Sequence, residues 1–214
     1  MSLTPSAMMP LGTMAPAFSL TNTVSGKVLT LPALKGGKAT VVMFICNHCP
    51  YVKHVLKELV RAARDYQPKG VAFIAISSND AVNYPEDAPA RMTEVARDLK
   101  FPFPYLYDET QDVARAYHAA CTPDFFLFDA APSASAGDNS SSSMTKSRTE
   151  LQDVTGTPAA ALACVYRGQF DGSRPGNGVP VSGVDLRAAL DAMLTGRPVN
   201  PDQKPSVGCN IKWK

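Results

Sequence analysis

The sequence is poor in several things that would declare a function outright. Charge of one sign is missing: 21 Lys and Arg stand against 19 Asp and Glu, a net charge of +2 over 214 residues. This leaves no electrostatic footprint for nucleic acid or an anionic membrane. Long apolar runs are missing too. The longest, Ala39 to Cys46, has the length of a strand and is far too short to span a bilayer. The first charged residue is Lys27, so neither the basic start of a secretory leader nor an Arg-rich transit helix is expected. Cysteines are few and odd in number, five in the whole chain, which argues against a secreted disulfide framework. The expectation is a soluble, cytoplasmic protein in a reducing compartment, with no partner among nucleic acids or membranes. Oligomeric state leaves no mark in the sequence.

What is present is a run of alternating strand and helix signals. Ala39 to Cys46 is β-branched and apolar almost throughout, as in strands covered on both faces. Val52, Val55, Leu56, Leu59, Val60 and Ala63 then recur at the spacing of one helical face, with Pro50 in the first turn and Pro68 and Gly70 at the end. Val71–Ile76 reads as a second buried strand. Asp87 is placed to cap a helix over Ala88 to about Lys100. Short strands are expected at Phe18–Leu20, Lys27–Leu31, Tyr105–Tyr107 and Phe125–Phe128, and a short helix over Thr110–His118. Ala161–Arg167 reads as a strand turning at Gly168 into a hairpin with Gln169–Asp171. Ser182 and Asp185 suggest a capping box before a last helix to about Leu194.

The pattern predicts an α/β protein with a central mixed β-sheet flanked by helices and an N-terminal β extension. Residues 1–16 read as an N-terminal arm, 17–197 as a single domain and 198–214 as an aperiodic C-terminal tail. An Ala-, Ser- and Gly-rich stretch marks a flexible insertion over 130–158, with a short helix possible at Lys146–Val154.

The chemistry concentrates at Cys46-Asn47-His48-Cys49, between a buried strand and a helix. A helix N-terminus offers unpaired N–H groups and partial positive charge, which favour a thiolate. Two cysteines one turn apart can close a disulfide, so a mixed disulfide formed by one is resolved by the other. Cys46 precedes the helix and is expected to be the more exposed, attacking thiol, with Cys49 resolving. His48 can carry positive charge and favour the thiolate, and Lys53 and His54 can add to that field. A zinc half-site is the competing reading. A four-thiolate site needs a second Cys-x-x-Cys, which the chain lacks, and His48 between the cysteines makes joint ligation awkward. No metal and no organic cofactor is expected. Thr122-Pro123 stands just before a strand. A cis bond there would bring backbone beside the dithiol to dock an extended substrate; a trans proline that merely begins the strand fits equally. Cys121 and Cys209 are candidate accessory thiols, each also readable as packing, and Cys164 reads as core. Asn79 and Asp80 follow a buried strand, at the carboxyl end where α/β sites collect, and read either as site residues or as a loop turn.

Taken together, these phrases resemble the thioredoxin-like superfamily, and within it the redoxin branch of alkyl hydroperoxide reductase and thiol-specific antioxidant proteins. Gly12 to Leu20 with Gly26-Lys27 is similar to the redoxin opening, Val41 to Pro50 to the strand and dithiol, and Thr122 to Asp129 to the cis-proline strand. Three phrases, over 46–52, 174–181 and 208–213, resemble a bacterial-type subgroup known only as thioredoxin-family or redoxin proteins. The resemblance implies a thiol–disulfide oxidoreductase with a role in cell redox balance, acting on protein or small-molecule disulfides and recharged by an upstream dithiol reductant. Two departures bear on this. Thr40 stands where thioredoxins keep a buried acid. The peroxidase pattern Pro-x-x-x-Thr-x-x-Cys has Ala39 and Met43 in its Pro and Thr places for Cys46, and Val42 and Cys46 for Cys49. Dithiol exchange is therefore preferred. The alternatives are a thiol peroxidase acting through a sulfenic acid and a non-enzymatic metal-binding or chaperone module.

Overall fold

The computed structural model describes residues 3–130 and 162–214. The flexible insertion expected over 130–158 and its Lys146–Val154 helix therefore fall, apart from Ala130, outside the described residues.

The β-branched run forms β4 (Ala39–Phe44), buried at every position. It is central because both its edges are taken: β5 (Val71–Ser77) pairs with it in parallel and β8 (Asp124–Asp129) antiparallel. Beyond β5 lie β6 (Tyr105–Tyr107), β2 (Ser19–Asn22) and β3 (Val28–Thr30), and beyond β8 lies β9 (Ala163–Gly168). The sheet order is β3-β2-β6-β5-β4-β8-β9. The β2–β3 hairpin is the expected N-terminal β extension.

Strand alternation then divides the core in two. Val41, Met43, Phe73, Phe125 and Leu127 face one side, where they meet α2 (Pro50–Tyr66), α3 (Pro89–Asp98) and α5 (Val184–Leu194). Val42, Phe44, Ile74, Ile76, Phe126 and Phe128 face the other, against α1 (Leu31–Leu34) and α4 (Asp112–Ala116) with its neighbour Tyr117. The amphipathic α2 buries Val52, Val55, Leu56, Leu59, Val60 and Tyr66. Each such aliphatic side chain contributes roughly 2 kcal/mol when fully buried. A single turn over Gln67–Lys69 and Gly70 at φ 93° end the helix, as Pro68 and Gly70 foretold. Among the described residues no helix is long and apolar enough to cross a membrane.

Several expectations are corrected. The arm and tail are not unpatterned: β1 (Leu3–Pro5), β10 (Val207–Asn210) and β7 (Cys121–Thr122) form a second sheet, in the order β1-β10-β7. Strands this short and partly exposed leave no period to read. The hairpin of β9 with Gln169–Asp171 does not form. At Gly168, φ 134°, the chain leaves the sheet, and a Cβ there would stand 2.1 Å from the Lys204 carbonyl oxygen. Ser182 and Asp185 do not make a capping box either: Gly183, φ 66°, caps α5, and Asp185 instead accepts from Gln169 Nε2 at 2.5 Å. Helix α3 is capped by Ala88, not by Asp87.

Candidate active site

Chain leaving β4 continues its pairing for one residue, with Ile45 N donating to Ile76 O at 3.0 Å, and then turns through Cys46–His48 into α2. Cys49 is the N-cap of that helix and Pro50 its first residue, where a missing N–H costs nothing. Opposite stands β7, followed by a cis Thr122–Pro123 bond. Thr122 meets both sulfurs: Cys46 Sγ lies 3.3 Å from its hydroxyl, and Cys49 Sγ lies 3.2 Å from its carbonyl oxygen, within reach of a hydrogen bond when Cys49 is protonated. The dithiol and the Thr122-Pro123 step, 73 residues apart in sequence, are thus one constellation.

Exposure is the first departure from expectation. Cys46 is 2% exposed and Cys49 0%, so Cys46 is hardly more open than its partner. The second concerns charge. The Cys46 thiol is pushed well up, first by its hydrogen bond to Cys49, then by burial and the negative charge of Asp87. Cys49 is lowered to about 5: the hydrogen bond from Cys46 outweighs burial, and the Cys209 thiol and the N–H groups of Val52 and Cys209 add to it. The two thiols titrate as a pair, and the direction favours Cys49 as the more acidic member, because it takes hydrogen bonds from Cys46, the Cys209 thiol and the N–H groups at the head of the helix. The expectation that Cys46 stands exposed is corrected: both cysteines are buried.

His48 is held by a residue read only as a helix cap. Its Nδ1 lies 2.5 Å from Asp87 Oδ2, and the Asn47 and His48 N–H groups donate to Asp87 Oδ1 at 2.7 and 3.2 Å. Asn79 Nδ2 donates to the same carboxylate at 2.8 Å, and the His48 ring stacks on Tyr84 at 5.5 Å. The hydrogen bond to Asp87 raises the His48 pKa despite burial. Burial alone would raise Asp87, but the bonds from His48 and Asn79 bring it below the usual carboxylate range. His48 therefore reaches the sulfurs as half of an ion pair, and Asp87 opposes a charge on Cys46. Asp87 is a site residue that pattern reading missed, whereas Asn79 stands at the strand's carboxyl end, where a site was one of its two readings. Nothing local distinguishes a buried carboxylate from a capping one before a proline-led helix.

Cys46, His48 and Asp87 each bring a ligand atom within 4.8 Å of the others. A metal held by all three would have to part His48 from Asp87, because two ligands on one ion at bonds of ~2.0 Å stand about 3.3 Å apart.

The remaining thiols differ among themselves. Cys209, on β10 opposite Thr122, reaches the Cys49 sulfur. Cys121 turns toward the Pro123 and Ser206 carbonyls, at 3.7 and 3.9 Å, and burial raises its pKa. Cys164 is core, 1% exposed. Lys53 is exposed on α2, while His54 Nε2 is buried without a hydrogen-bond partner. Thr40 hydrogen-bonds Gly36 N at 3.0 Å within the scaffold.

A mixed sheet between helices, a Cys-x-x-Cys at the head of α2 and a cis-proline beside it define a thioredoxin-like protein. The AhpC/TSA family model matches residues 11–132, more than half of the chain, and the protein belongs to that family, which assigns it a redox role in general terms. It is similar over its whole length to an uncharacterised conserved protein from Geobacillus kaustophilus, at 55% identity and TM-score 0.84, covering 100% of this chain and 97% of that one. It is also similar to a hypothetical protein from Sinorhizobium meliloti 1021, at 42% identity and TM-score 0.81, covering 99% and 98%. The thioredoxin domain of a thiol-disulfide oxidoreductase from Bacteroides vulgatus shares the fold at 17% identity and TM-score 0.50, covering 75% of this chain and 91% of that one. No curated protein matches the chain.

Proposed function

We propose that the protein is a thiol–disulfide oxidoreductase whose redox couple is Cys46 and Cys49. The observation that carries this reading is the pair of sulfurs at the head of α2, both held on Thr122. Cys46, which precedes the helix, attacks one sulfur of a substrate disulfide while its proton passes to the Cys49 thiolate. A mixed disulfide with Cys46 forms, and the first substrate thiolate leaves. That thiolate takes the proton back from Cys49, which then attacks Cys46 and releases the second substrate thiolate. The protein ends as Cys46–Cys49 and the substrate as two thiols. Cys49 serves as its own base here, so the buried acid replaced by Thr40 is not needed. Thr122 and Pro123 orient the substrate sulfur, and an external dithiol in the cytoplasm returns the couple to its reduced form. No organic cofactor enters.

The test is reduction of insulin disulfides by a dithiol, with and without the protein. Wild type and Cys164→Ser are expected to accelerate it, and Cys46→Ser and Cys49→Ser to lose the acceleration. Full activity in both of the latter variants would sink the proposal. Consumption of hydrogen peroxide faster than by Cys46→Ser would favour a peroxidase instead. A Cys49→Ser variant, unable to resolve, is expected to retain its substrate through Cys46.

A further inference from the structure

Three sulfurs, not two, meet at the head of α2. Cys209 on β10 is the register partner of Thr122, the residue whose hydroxyl touches Cys46 and whose carbonyl touches Cys49. It is 2% exposed and shares one buried cluster with both cysteines. The Cys209 and Cys49 thiols influence each other's ionisation, Cys209 lowering Cys49 and Cys49 raising Cys209. Cys164 shows the contrast: it is equally buried, but its sulfur lies 3.5 Å from the carbonyl of Tyr166 in its own strand.

The chain also goes to some length to bring this strand in. A Cβ on Gly208 would lie 2.0 Å from the Thr122 carbonyl oxygen and 3.3 Å from Pro123 Cδ, so only glycine allows the approach. Past Cys209 the tail is tied down in sequence: Ile211 N donates to Ala120 O at 3.1 Å and Lys212 N to Asn79 Oδ1 at 2.8 Å. Lys212 O in turn accepts from Asp80 N and Gln111 Nε2, both at 2.8 Å. The backbone of Thr122, which the sequence had set aside for a substrate, is occupied by the chain's own end. That end presents a cysteine to the dithiol.

Building on the dithiol reading, we propose that Cys209 is a third redox thiol, exchanging with Cys49 so that the disulfide passes from Cys46–Cys49 to Cys49–Cys209. The Cys209 sulfur, as thiolate, attacks Cys49 Sγ; the Cys46–Cys49 bond breaks. Cys46 departs with the electron pair and takes up the proton that Cys209 gave away. One disulfide is consumed and one formed, so no oxidant or reductant is needed. An external dithiol then reduces Cys49–Cys209 to two thiols and becomes a disulfide itself. In the reduced protein burial and the neighbouring Cys49 push the Cys209 thiol up to about 12, which keeps it idle. Once Cys49 is in a disulfide, its negative charge no longer opposes ionisation of Cys209.

The test oxidises full-length protein with stoichiometric oxidised glutathione, quenches in acid, alkylates free thiols and maps disulfide-linked peptides by mass spectrometry. Cys46→Ser is expected to link Cys49 to Cys209 in most molecules. Wild type is expected to hold both disulfides, with Cys46 and Cys209 each alkylated in part. Cys209→Ser should hold Cys46–Cys49 alone. Complete alkylation of Cys209 in oxidised wild type and in Cys46→Ser, with Cys46–Cys49 formed normally in wild type, would overturn the relay and leave the dithiol standing. Failure of Cys46–Cys49 to form even in Cys209→Ser would overturn the dithiol reading beneath it. Wild type alone carries the test should Cys46→Ser not fold.

Discussion

Cys49 sits where helix geometry and neighbouring thiols act together, and its ionisation is the most direct residue-scale consequence. Thiolate absorbance in the ultraviolet should appear in reduced protein with a midpoint near the value of about 5, and Cys49→Ser should abolish that step while Cys164→Ser keeps it. The sign for stability follows. A thiol lowered on folding stabilises fully above its unfolded value of about 8.5, and that stabilisation is lost as pH falls through about 5. The His48–Asp87 pair has two windows of its own. His48, raised by Asp87, stabilises fully below its ordinary value of about 6.5 and ceases to as pH rises through its raised one. Asp87, lowered, stabilises above about 4 and ceases to as pH falls through its folded value. Stability from the pair is therefore greatest between those limits, and His48→Gln should remove the decline above neutrality in urea midpoints measured against pH. Asp87→Ala strands the N–H groups of Asn47 and His48 and the amide of Asn79. It should cost on the order of 3 kcal/mol by the same measurement.

Among the elements, β10 reaches the site from far along the chain and has great leverage on it. Its place depends on the absence of a side chain at Gly208. Gly208→Val should lift the strand from β7, raising hydrogen exchange over 207–210 and the rate at which Cys46 and Cys49 react with a maleimide. An unchanged maleimide rate would show that the tail does not cover the dithiol. Helix α2 was legible because seventeen residues give a 3.6-residue period room to declare itself. Strand β4 was legible because burial on both faces leaves only apolar residues in it. Strands β1 and β10, three and four residues long, carry no such period. Their pairing joins the two ends of the chain, and no window of sequence contains both.

At the scale of the whole molecule, the central sheet holds the site in register, and both of its faces are buried against apolar clusters. Phe126 packs edge-on against Phe44 and near-perpendicular to Tyr117, at 6.0 and 5.8 Å between ring centres. Phe126→Ala should cost about 3–5 kcal/mol in urea denaturation, although it lies across the sheet from both cysteines. The strand β4, the helix that carries Cys49 and the Cys-x-x-Cys itself were all readable along the chain, because each depends on neighbours within a turn or a strand; the order of strands in the sheet was not, because it is set by pairings between distant segments. The cis state of Thr122–Pro123, the buried carboxylate behind His48, the burial of both cysteines and the arrival of Cys209 were settled only in three dimensions. Burial and electrostatics depend on which atoms surround a group, and here Asp87, Thr122 and Cys209 reach the dithiol from separate, distant parts of the chain.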